Sequence, residues 1–260
     1  MKNRPQTLVV LTTMIACLAF YGCDENKSDT PTAQEYDDVA KSFGTVVVTG
    51  QGGGDLGSIH DAAALSVGVI PFGFAFDASG AVNGNRVGVD YAYSISCNDS
   101  AGNELSLCNS TTDSARVTVD WSGDLSIPPT FMASFTRSGV WRLSDIQSGM
   151  TRLDGESEFD FEAAFTNDSV SREYHFSYSG VYDDIQIRPE APRVVGGSIR
   201  FAISADHRES NADGGHSSRT FDVTAELTFD AQGHATFVLD GQRTYDLDLV
   251  DGSVALHVGP

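Results

Sequence analysis

Phe221-Asp222-Val223-Thr224-Ala225-Glu226-Leu227-Thr228-Phe229 alternates apolar and polar residues at every step. Successive side chains of a strand point to opposite faces, so this segment reads as a strand with one buried and one wet face. The same period of two continues toward the C-terminus through Phe237 and Leu239, then Tyr245, Leu247 and Leu249, then Val254, Leu256 and Val258. Toward the N-terminus it recurs at Ile199 to Ala205, Tyr174 to Tyr178, Phe159 to Phe165, Val117 to Trp121 and Tyr91 to Cys97. Half-buried strands belong to antiparallel sheets, because parallel sheets are usually covered on both faces.

The connections agree. Asp77-Ala78-Ser79-Gly80, Asp99-Ser100-Ala101-Gly102 and Asp230-Ala231-Gln232-Gly233 share Asp at the first place and Gly at the fourth. Asp bonds the turn backbone, and Gly accepts the positive φ at which such a turn enters the next strand. Asp154-Gly155, Asp240-Gly241 and Asp251-Gly252 read as tighter turns. The expected fold is all-β: an antiparallel meander forming a large curved sheet, sandwich or barrel-like domain. One short N-terminal helix is expected over Ala33 to Phe43, capped by Thr32 and closed by Gly44, with Tyr36, Val39, Ala40 and Phe43 at helical spacing.

The chain carries 16 Lys and Arg against 36 Asp and Glu, a net charge of −20. That balance repels phosphate backbones and argues against nucleic acid as a partner. Residues Met1 to Gln6 contain Lys2 and Arg4 and no acid, and an apolar run of 16 residues, Thr7 to Gly22, follows. This is the layout of a secretory signal; the run is short for a membrane span, which needs about 20 residues. Phe20-Tyr21-Gly22-Cys23 resembles the cleavage site of bacterial lipoproteins, in which the Cys is acylated and becomes the mature N-terminus. Met14-Ile15-Ala16-Cys17 is a second candidate, but cleavage before Cys23 exposes a polar leash at once.

The resemblance implies a division into a signal peptide (1–22), a lipidated Cys and polar tether (23–32) and one secreted β-rich domain (33–260). It implies lipidation at Cys23 and a place in the bacterial cell envelope, anchored to a membrane whose identity, inner or outer, the sequence does not resolve. From the tether onward the order of parts resembles uncharacterised β-rich bacterial lipoproteins, whose shared motifs are turns and strands.

After the signal only Cys97 and Cys108 remain, and in an oxidising compartment they are expected to form a disulfide around the Asp99 to Gly102 turn. Asp206, His207, Glu209, Asp213 and His216 form the richest polar cluster and are the candidate metal ligands, beside the plain reading of a solvated hairpin loop. Gln51 to Asp55 is glycine-rich without a phosphate-loop ending and reads as a flexible connection. Ser58, His60 and Asp61 are near in sequence only, and no Gly-x-Ser-x-Gly elbow occurs. No cofactor is implied. The functional reading is a non-enzymatic structural or binding module with an unknown protein, glycan or lipid partner. The alternative is a small-molecule or lipid carrier, or a hydrolase, with a pocket inside the curved sheet.

Overall fold

A computed structural model describes residues 30–48, 54–86, 88–127, 131–166, 169–188 and 193–257. The signal, Cys23 and the tether up to residue 29 lie outside the described residues. In chain order the strands are β1 (Phe74–Phe76), β2 (Val82–Arg86), β3 (Val89–Asn98), β4 (Glu104–Leu105), β5 (Ser114–Ile127), β6 (Phe131–Ser144) and β7 (Thr151–Thr166). They continue with β8 (Val170–Arg188), β9 (Arg193–Asn211), β10 (His216–Phe229), β11 (Ala235–Leu239), β12 (Arg243–Leu247) and β13 (Val254–Leu256). All belong to one antiparallel sheet in which neighbours in sequence are neighbours in space; only β4 leaves the path, pairing with β3. The meander is therefore an open sheet and not a closed barrel, with β1 and β13 as its edges.

The alternation that marks the strands also sets their register. Phe221, Val223, Ala225, Leu227 and Phe229 are all buried, whereas the residues between them are exposed. Opposite them on β9 stand Ala205, Ile203, Phe201 and Ile199, so apolar rows cross the sheet at right angles to the strands. Slipping any strand by one residue would turn its whole apolar set into water.

Cys97 and Cys108 form the disulfide, with a Cα separation of 5.4 Å. It fastens the segment beyond β4 to β3, behind a turn closed by Gly102 N donating to Asp99 O at 2.9 Å. One expected turn is absent: Asp154-Gly155 lies within β7, where the register slips between Leu153 and Gly155. That slip is in the pairing with β8; on the other side a Cβ at Gly155 would stand 2.3 Å from the Val140 carbonyl oxygen, so this glycine permits the close approach of β6.

The helical part is larger than expected. Helix α1 (Ala33–Val47) starts with a full capping box, in which the Thr32 hydroxyl accepts from Glu35 N and the Glu35 carboxylate accepts from Thr32 N. It runs through Gly44 instead of ending there. A Cβ on Gly44 would lie 2.5 Å from the Gly252 carbonyl oxygen, so the glycine permits close approach to the turn before β13. A second helix, α2 (Gly54–Ser66), takes in Gly54 and Asp55 of the stretch read as a flexible connection, whose Gln51 to Gly53 lie outside the described residues, and all of Ser58, His60 and Asp61. Both helices pack on the same face of the sheet and bury it.

Candidate functional site: the polar seam under the helices

The sheet's inner face meets the two helices through apolar and ionic contacts. Phe43 of α1 stands among the rings of Phe161, Phe176, Tyr178, Phe201 and Phe237, with centroids 4.8–6.1 Å away. Around this apolar nest lie carboxylates of α1, each answered by the sheet. Arg172 Nε and Nη2 grip Asp38 at 2.6 and 3.3 Å, and the Tyr174 hydroxyl donates to the same carboxylate at 2.9 Å. Asp37 accepts from Tyr245 at 2.7 Å and Arg243 at 3.2 Å. Glu35 bonds His207 Nδ1 at 2.8 Å and has Arg219 3.4 Å away. Burial alone would raise its pKa, but the hydrogen bonds from His207 and Thr32 and the Arg219 charge bring it down to about 2.

Beneath α2 the sheet is hollowed. Gly139 on β6, Ser157 on β7 and Gly180 on β8 are direct neighbours across three strands. Even a methyl at Gly180 would press on the Phe201 ring at 3.1 Å, so the row has no side chain larger than serine. Into this hollow come Asp55 from the first turn of α2 and Arg137 from β6, both with side chains 0 % exposed. Arg137 Nη2 reaches Asp55 and the Tyr182 hydroxyl, and Tyr182 donates to Asp55 Oδ1 at 2.7 Å. Ser157 Oγ is 3.1 Å from the same hydroxyl. The guanidinium carbon lies 5.3 Å from the ring centroids of both Trp121 and Trp141. These π faces favour a cation that water cannot reach. Burial lowers the Arg137 pKa, the Asp55 carboxylate and the surrounding Tyr182, Tyr178 and Tyr93 together more than reverse this, and the guanidinium stays charged.

A second pair holds the far half of α2. Arg86 forks onto Asp61 at 3.0 and 3.1 Å, and Tyr93 donates to Asp61 at 3.2 Å. Burial nevertheless outweighs these partners and raises the Asp61 carboxyl above its ordinary range. Burial also lowers the His60 imidazole. Asp61 and His60 belong to the stretch read as chance proximity. Asp61 is used to bind helix to sheet, and Ser58 is fully buried on the same helix.

The five candidate metal ligands are not brought together. Asp206 and His207 point to opposite faces of β9; Asp206 accepts from Thr220 outside, whereas His207 stacks on Tyr174 inside at 4.4 Å. Asp213 accepts from Gly215 N within the turn, and exposed His216 faces Ser210 Oγ at 3.0 Å. Glu209, half-buried, is one residue pair further along β9 than His207. Among the described residues no group of three or more His, Cys, Asp or Glu is placed to hold a metal ion.

The outer face bears open troughs between rows of side chains. One, about 620 Å³, is lined by Glu158, Asp160, Ser177, Ser204, Asp222 and Asp240 among others. Its acids continue along β7, where Asp154, Glu156, Glu158, Asp160 and Glu162 all face solvent. This row was legible as alternating sequence, yet the acids look scattered until the strand puts them on one face. Compared with known protein families, with curated proteins and with solved structures, the chain matches none.

Proposed function

We propose that the chain is a membrane-anchored envelope lipoprotein whose folded body acts as a non-enzymatic structural or binding module. The observation that carries the module reading is the filling of the inner face by the protein's own helices. Carrier and hydrolase readings require a pocket inside the curved sheet, where Phe43 and Ile59 are fully buried and Asp55, Asp61 and Arg137 are engaged in ion pairs. Arg137 has no route to solvent and no titration near neutral pH, so it suits fastening better than proton transfer. The anchoring part of the reading is supported by the charged start, the apolar run and the Gly22-Cys23 junction followed by a polar leash.

Labelling with radioactive palmitate in a bacterial host tests the anchor. Label and membrane association are expected for the natural chain and for Cys17→Ala, and both are lost in Cys23→Ala. Label that persists in Cys23→Ala overturns lipidation at that residue. For the module reading, a broad screen of small apolar ligands should leave the thermal midpoint unchanged. A ligand that raises the midpoint in a saturable way, and displaces α2 from the sheet, would replace the module with a carrier.

A further inference from the structure

From the end of α2 through β1 runs Val67-Gly68-Val69-Ile70-Pro71-Phe72-Gly73-Phe74-Ala75-Phe76, ten residues without a charge or a polar side chain in a chain of net charge −20. Four of its large side chains face water: Val69 and Ile70 are about half exposed, Phe76 is 47 % exposed and Phe72 is 97 % exposed. Contiguous apolar exposure of this kind marks an interaction surface, whereas isolated exposed residues need no explanation.

The ridge is held in place at both ends. At one end Val69 N donates to Ala64 O at 2.9 Å, and Gly68 is seated against the Cys108 carbonyl of the disulfide loop. Leu107, 64 % exposed, is the neighbour of that cysteine and adds to the apolar surface. At the other end the buried Phe74 ring packs on Tyr91 and Tyr93 at 5.7 and 5.8 Å and lies under Arg86 at 4.5 Å. Phe72 is thus held out from two fixed points.

We propose that this ridge, Val69 to Phe76 with Phe72 at its crest, is a second membrane contact that inserts into the apolar edge of a zwitterionic bilayer. The inference rests on the anchored-lipoprotein reading. Cys23 precedes Thr30, the first described residue, by seven residues. At full extension a leash of that length spans about 25 Å, so the body of an anchored chain stays beside the lipid surface. A protein partner would call for hydrogen-bonding or charged groups around an apolar centre, and this ten-residue stretch supplies no such side chain. Lipid tails need none. Aromatic and branched aliphatic side chains buried at an interface add a second hold to that of a lipid anchor.

The test uses the mature protein purified from membranes and reconstituted in phosphatidylcholine vesicles whose acyl chains carry bromine, a short-range quencher of indole fluorescence. One variant is Phe72→Trp and a second is Gln232→Trp, in the exposed turn before β11. The natural indoles of Trp121 and Trp141 are buried and are subtracted as background. The mass of the N-terminal peptide reports acylation in each sample. The expected result is at least twofold quenching of the indole at position 72 and none at position 232. An acylated, vesicle-bound protein with neither position quenched overturns the ridge and leaves the anchor standing. An unacylated protein quenched at position 72 overturns the anchor and keeps the ridge, and an unacylated protein without quenching removes both. Emission at position 72 that shifts to the blue with protein concentration, without vesicles, overturns the bilayer in favour of a second copy of the chain.

Discussion

The two helices lie on the same sheet and both join it through apolar contacts and ion pairs, but they differ in how deeply the pairs are buried: Arg172, which meets Asp38 of α1, is partly exposed, whereas Arg137 and Asp55 of α2 are not exposed at all. Helix α1 presents an apolar stripe, and its centre is Phe43 enclosed by five rings. Helix α2 turns Asp55, Ser58 and Asp61 toward the sheet, and both carboxylates meet arginines. Apolar packing is tolerant of small changes in geometry, whereas a buried ion pair fails once either partner is removed. The helix that looks less amphipathic is therefore the one with the more specific seat.

Breaking each seat separately sharpens the contrast. Arg137→Met leaves Asp55 buried without its cation, and a loss of about 3–5 kcal/mol is expected in urea or guanidinium unfolding. Phe43→Ala empties the ring nest and should cost about 3–4 kcal/mol in the same measurement. The two differ in character: ring loss at Phe43 should be partly recovered by Phe43→Leu, whereas Arg137→Lys should recover little, because a lysine has no planar guanidinium to lie between the two indoles.

This contrast also explains what was legible in the sequence. Strands such as β10 announce themselves because one face is wet and the other dry, and α1 does so because Val39, Ala40 and Phe43 recur at helical spacing. Helix α2 does not. Its buried positions mix Leu56, Ile59, Ala62 and Leu65 with Asp55, Ser58 and Asp61, so the periodic apolar signal is blurred by the polar residues that seat it. Those pairs join residues 82 positions apart in the case of Asp55 and Arg137, a distance over which spacing carries no information. Trp141, at the same spacing from its neighbours as any strand residue, is fully buried beside Arg137. Gly155 was misread for a related reason: Asp-Gly marks turns in general, but here the glycine relieves a backbone contact inside a long strand.

Smaller effects probe the margins of the two seats. Replacing Cys97 and Cys108 by serine frees the loop against which Gly68 rests, with an expected loss of about 2–3 kcal/mol in unfolding and little change at α1. At α1, the Glu35 carboxyl lies at about 2 when folded, below its ordinary 4.5. Its contribution is therefore present above pH 4.5 and is lost as the pH falls from there toward 2. Stability measured across that window should fall more steeply for the natural chain than for Glu35→Gln. The smallest change expected is Thr32→Ala, which removes one cap hydrogen bond and should cost about 1 kcal/mol.

Helix α2 is fastened to the inner face of an open meander by the Arg137 and Asp55 pair. Equilibrium unfolding of Arg137→Met, Asp55→Leu and the double variant tests it most directly. Each single variant should be several kcal/mol less stable than the natural chain, and the double variant should recover most of that loss because no uncompensated charge remains buried. Single variants that leave stability unchanged, or a double variant whose losses simply add, would contradict the claim.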